Sequence, residues 1–188
     1  MEPTKLLKAL RTAERLKDAT RHCYTSGGRR ESVAEHSWRI TLMAYWVSDE
    51  FPEADLEKLM KMCLIHDLGE AVTGDIPAFE KTQADTEVED RAVEEQVAAL
   101  LPEREREEFL ALFQEMNALE TPEARLYKAF DKLEALIQHN EADIATWLPL
   151  EYDLQQTYGA SECAFSDFTR ELRAAVLEDS LDKIRNSK

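Results

Sequence analysis

Glycine, cysteine, long apolar runs and positive charge are all scarce in this chain of 188 residues. Five glycines and no sustained polar-apolar alternation argue against a sheet protein, which needs tight turns and a period of two. Cys23, Cys63 and Cys163 are too few and too far apart for a disulfide framework or a Cys-x-x-Cys zinc ribbon. A reducing cytoplasm is therefore the expected compartment. The longest apolar-rich run, Ile40 to Val47, is too short to cross a bilayer, and the first five residues lack the pattern of a secretory signal. No membrane association is expected. With 23 Lys and Arg against 39 Asp and Glu, the net charge of −16 repels nucleic-acid polymers and anionic surfaces at long range. A phosphate-bearing small molecule would have to meet local cations instead.

What is present is helical periodicity. Apolar residues recur at intervals of three and four in nearly every segment, which predicts an all-α fold, one globular domain over 1–188. A first helix is expected over 4–16, and the loop 25–30 with Gly27-Gly28 interrupts it. Ser32 followed by Glu35 reads as a capping box for a second helix, whose His36, Ile40, Met43 and Val47 share an inward stripe. A third helix is expected from just after Pro52 to His66, and a highly charged, solvated helix over about 86–101. Pro102 and Pro122 suit first helical turns. The helix after Pro122 aligns Leu126, Phe130, Leu133 and Ile137, with Asp131 at the stripe's edge beside Lys128. Covering helices are expected over about 147–185, ending in a polar tail, Arg185-Asn186-Ser187-Lys188.

Only four histidines occur, so their placement is informative. His66-Asp67 closes an apolar helical pattern, and Gly69 supplies the backbone freedom for both side chains to reach one cation. With His36 and Asp131 they make a set of two imidazoles and two carboxylates. Such donors suit one divalent metal ion, Mn²⁺, Co²⁺, Fe²⁺ or Zn²⁺ rather than Mg²⁺, and leave positions open for water and substrate. Each residue also has a plainer explanation, a satisfied core histidine for His36 and half of a surface ion pair for Asp131. His139 lies two turns beyond Asp131, a spacing that lets it face the same way, with an exposed residue at a helix end as the simpler account.

The order His36, His66-Asp67, Asp131 resembles the signature of the HD superfamily of metal-dependent phosphohydrolases. The segments Glu31-Ser32-Val33-Ala34-Glu35-His36-Ser37, His66-Asp67-Leu68-Gly69-Glu70-Ala71-Val72-Thr73-Gly74-Asp75-Ile76-Pro77 and Lys128-Ala129-Phe130-Asp131-Lys132-Leu133 carry the resemblance, over a metal-site core of about 15–140. Most similar is the branch of bacterial 5′-deoxynucleotidases and HD domain-containing 2 type proteins. That resemblance implies a helical bundle, often paired as a homodimer, that hydrolyses nucleoside 5′-monophosphates, deoxyribonucleotides above all. It also implies Glu70 as general acid or base, Asp75 positioning water or sugar, and Arg21 gripping phosphate.

The chain departs from those enzymes at His22, where they place a Trp beside the sugar, and this leaves the deoxyribose preference open. Lys128 is a further candidate for phosphate, as are Arg29 and Arg30, for which solvated loop charges are the equal alternative. No histidine lies between Leu68 and Phe130, so two-metal members of the superfamily are a poorer match. Hydrolysis of another nucleotide, a non-catalytic nucleotide sensor and a scaffold presenting its acidic helix remain the alternatives.

Overall fold

A computed structural model describes residues 1–187, and the last residue of the expected polar tail, Lys188, lies outside the described residues. The helices are α1 (Pro3–Glu14), α2 (Val33–Trp46), α3 (Leu56–Ile65), α4 (Glu70–Thr73), α5 (Gln83–Ala92), α6 (Glu103–Ala118), α7 (Pro122–Glu141), α8 (Glu151–Thr157) and α9 (Asp167–Asn186). The all-α expectation holds for the bulk of the chain. None of these helices is long and apolar enough to cross a membrane.

The local reasons are those of the sequence. Ser32 accepts from the Glu35 amide while Glu35 accepts from the Ser32 amide, so α2 starts at a capping box. Pro122 occupies the first turn of α7 behind the Thr121 cap. Helices α2 and α3 pack on each other and on α7, and α9 closes the far side of α7. Ile40, Leu59, Met62, Leu126, Phe130 and Leu133 meet in the shared core, each almost wholly buried. Burying one such side chain contributes about 1.5–3 kcal/mol. This core holds α2, α3 and α7 in fixed register, and those are the helices that carry His36, His66 and Asp131.

Two local expectations change. The stretch before α2 is a short antiparallel hairpin of β1 (Thr20–Tyr24) and β2 (Arg30–Ser32), with Thr20 opposite Ser32 and Tyr24 opposite Arg30. Its register shifts between those pairs, a bulge-like irregularity that lets the consecutive Arg21 and His22 line one cavity. The charged helix also begins earlier than expected and is irregular. Regular α5 ends at Ala92, and a π-turn over Val93–Val97 follows.

Candidate metal centre

His36 projects from α2 into the core and is fully buried. Its Nδ1 is hydrogen-bonded to the carboxylate of Glu134 on α7. His66 stands at the C-terminal cap of α3, where its Nδ1 lies 3.0 Å from the Cys63 carbonyl. Both rings therefore spend the Nδ1 hydrogen outward, which turns each Nε2 inward. Asp67 Oδ2 lies 3.0 Å from His66 Nε2 and 3.8 Å from His36 Nε2. From α7, Asp131 Oδ1 comes within 3.3 Å of His36 Nε2.

Neither Nε2 is aligned with any of these oxygens as a hydrogen bond, although both atoms are buried. Two imidazole nitrogens beside two carboxylates suit a divalent cation, and His36, His66 and Asp67 bring one ligating atom each within 4.8 Å of one another, with Asp131 beside His36. Ligands around an ion at about 2.1 Å are about 3.0–3.4 Å apart, which the contacts of 3.0 and 3.3 Å match, while His36 Nε2 and Asp67 Oδ2 stand somewhat wider at 3.8 Å. Electrostatics agree. Burial works against a charged Asp67, yet the imidazoles of His66 and His36 hold its carboxyl well below the usual range. Asp131 is likewise held low against burial by Lys128 and Lys132, whose Nζ atoms lie 2.9 and 3.5 Å from Oδ2. Burial and Arg21 oppose a protonated His36, but Glu134 and Asp131 outweigh them and lift its pKa to about 9, so the positive charge these carboxylates attract is a proton without an ion and the cation with one.

Over this centre opens a cavity of about 400 Å³. Arg21, His22, Asp67, Glu70, Asp75, Lys128 and Asp131 all line it, while His36 and His66 lie behind its wall. Arg21 Nε is 3.1 Å from Glu31 and Nη1 is 3.9 Å from Asp67, so the guanidinium is braced from behind. Glu70 begins α4, is 5% exposed and has one oxygen, Oε2, buried without a partner. Burial, then the nearby carboxylates of Asp67, Asp75 and Glu89, push its pKa up to about 10 against the pull of Lys81. Its carboxyl is thus a proton donor at neutral pH. Burial also raises Asp75, with Arg21 opposing.

Several expectations are corrected. Gly69 adopts ordinary right-handed helical angles, φ −59° and ψ −35°, so special backbone freedom is not its role. A Cβ there would come 2.5 Å from Glu89 Cγ and 3.1 Å from the Glu89 carbonyl, so glycine is what lets α5 pack against the turn after His66. His139 is buried, because α8 covers the end of α7 and sets Glu151 beside it. Arg29 is exposed and pairs with Glu35, Arg30 lies 5.4 Å over the Tyr24 ring, and neither lines the cavity. The residues that sequence reasoning missed are the supporting ones. Glu134, Glu31, Lys81 and Lys132 hold the others in place. Glu31 and Lys132 fall inside the motif segments without a role of their own there, and Glu134 sits about one turn past Asp131 on α7.

The sequence model of the HD domain family matches residues 13–173. The chain belongs to the HD domain family. Within that family it is 35% identical over 112 residues to the 5′-deoxynucleotidase HDDC2 of Danio rerio, covering 59% of this chain and 55% of that protein. The same-named protein of Homo sapiens is 30% identical over 139 residues, 72% of this chain and 67% of its own. This HD domain chain thus spans little more than half the length of the first of these relatives. Among solved structures, a protein from Magnetospirillum magnetotacticum described as a predicted metal-dependent phosphohydrolase superposes with a TM-score of 0.83 at 27% identity. It covers 96% of this chain and 93% of its own. A conserved hypothetical protein from Pyrococcus furiosus gives 0.70 at 27% identity, over 92% and 98%.

Proposed function

We propose that this HD domain chain is a metal-dependent phosphomonoesterase that hydrolyses nucleoside 5′-monophosphates, deoxyribonucleotides in particular, to nucleoside and phosphate. One observation carries the reading: two buried imidazoles, each fixed through Nδ1, turn Nε2 toward Asp67 and Asp131, which line the cavity in front of them. The names of the HDDC2 relatives support the substrate class.

His36, His66, Asp67 and Asp131 hold the ion, Mn²⁺, Co²⁺, Fe²⁺ or Zn²⁺ by the mixture of nitrogen and oxygen donors. When bound, such a cation supplies Lewis acidity toward the phosphoryl group and toward water. Arg21 offers its guanidinium to the phosphate oxygens, and Lys128 adds positive charge on the Asp131 side. As water oxygen bonds to phosphorus and the P–O5′ bond breaks, Glu70 gives its proton to the departing O5′. Asp75 and His22 face the same space and position the sugar or water. A single domain in a reducing cytoplasm is part of the same proposal, supported by three buried free thiols. So is a homodimer. Trp38, Tyr45 and Trp46, 62%, 58% and 72% exposed, project from one face of α2 as an apolar patch.

A screen of nucleoside mono-, di- and triphosphates with Mn²⁺ or Co²⁺ tests the reading. Phosphate release from 5′-monophosphates alone is expected, with loss of turnover and retention of metal in Glu70→Gln. Release from triphosphates would redirect the proposal to another nucleotide. Undetectable hydrolysis of every substrate by metal-loaded protein would make the chain a nucleotide sensor.

A further inference from the structure

A second convergence of ligating atoms lies in the wall of the same cavity, outside the His36, His66, Asp67 and Asp131 set. His22 on β1, His139 on α7 and Glu151 at the start of α8 bring His22 Nε2 to 2.8 Å from Glu151 Oε1 and 3.1 Å from His139 Nε2. His139 Nε2 is 3.5 Å from the same carboxylate oxygen. Three heteroatoms therefore form a closed triangle. Glu151 is 3% exposed, and its Oε1 is buried without an aligned hydrogen-bond partner.

The surroundings hold this triangle in place. Glu151 Oε2 accepts from the Leu148 amide at 2.6 Å, which turns Oε1 toward the two rings. The ring of His22 meets Phe79 edge-on at 5.2 Å, and that of His139 meets Trp147 at 5.9 Å. Trp147 Nε1 also donates to the His139 carbonyl. A proton on any one of the three atoms serves one contact and leaves the remaining pair lone pair to lone pair. A cation serves all of them.

We propose that His22, His139 and Glu151 form a second divalent-cation site, distinct from the centre beside Asp67. An ion about 2.1 Å from all three atoms would sit about 1 Å out of their plane, so the triad occupies one face and leaves the opposite positions for cavity ligands. Two imidazoles and a carboxylate select Mn²⁺, Fe²⁺, Co²⁺ or Zn²⁺ over Mg²⁺ and Ca²⁺. The departure at position 22 thereby acquires a function: a histidine there is a ligand, which a Trp could not be.

The test counts ions on the full chain. Chelator-stripped protein is dialysed against Co²⁺, and cobalt per chain is measured together with the visible absorption of the bound ion. Glu151→Gln, which keeps the bond to the Leu148 amide, and His22→Phe, which keeps a ring against Phe79, are each expected to lose one ion per chain. The absorption belonging to the other centre should persist in both. Asp131→Ala should remove that other absorption and spare the second site. An unchanged cobalt count in both Glu151→Gln and His22→Phe overturns the proposal, as does loss of all cobalt in either folded variant.

Discussion

Glu134→Gln isolates the element that aims His36. The substitution preserves shape and leaves an amide oxygen able to accept from Nδ1, but it removes the buried charge that faces His36 and lies 3.7 Å from Arg39. Partners of this kind behind a metal-binding imidazole account for about 10–100-fold in affinity, or about 1.4–2.7 kcal/mol. Glu134 is wholly buried, so solvent does not screen its charge and the upper half of that range is expected. The same change weakens the metal-free fold by about 1–3 kcal/mol, since Arg39 and His36 lose a charged partner. For a chain of this size each 1 kcal/mol lowers Tm by about 2–4 °C. Calorimetric titration with Mn²⁺ measures the first effect and thermal melting in chelator the second. A fall in metal-free Tm with Mn²⁺ affinity unchanged to within about twofold would show that Glu134 braces the core and nothing more, refuting the argument that it aims the ring.

Other outcomes follow from the same geometry. Folding raises the Glu70 pKa from 4.5 to about 10, so its contribution favours the fold fully below pH 4.5 and is lost as pH rises through 10. Glu70→Gln, neutral throughout, should match the metal-free wild type near pH 4.5 and melt higher at pH 9; equal melting at pH 9 would contradict the shift. Gly69→Ala should cost about 1–3 kcal/mol by overpacking against Glu89 and Val93, read from chemical denaturation, and a neutral result would mean that α5 is not seated there. Arg21→Lys keeps charge but loses the planar fork, and kcat/KM for a 5′-monophosphate should fall about 10–100-fold, mostly through KM. Metal at about 100 times its Kd should add about 2.7 kcal/mol of stability that chelation removes, and identical melting curves with and without Mn²⁺ would count against a folded-state site.

How much of this could be read in the sequence depended on how local each signal was. The inward turn of His36 is set by its stripe with Ile40 and Met43, and the start of α2 by Ser32 and Glu35, all within a few residues of one another. The pairing of Asp131 with Lys128 sits one turn apart on one helix and was equally legible. The hairpin was not, because β1 and β2 are five and three residues long and show no sustained alternation. Glu134 was passed over because a glutamate in a helix ordinarily faces water, and only its burial against His36, nearly a hundred residues away in sequence, reveals otherwise. The helical spacing of His139 from Asp131 shows that the two face the same way, but the burial of His139 is hidden from the sequence. What covers it, α8, arrives from further along the chain. Gly69 shows the limit of reading residue types, since its importance lies in the closeness of α5 rather than in its own dihedral angles.

Helix α7 carries Lys128, Asp131, Glu134 and His139 along one unbroken run, Pro122–Glu141. The eight residues separating Asp131 from His139 amount to about 12 Å of axial rise, a span dictated by backbone hydrogen bonds rather than by loop length. Adding or deleting a single residue between those two positions would swing the later side chain about 100° around the axis and out of the cavity. The rod therefore works as a ruler that tolerates no change of length.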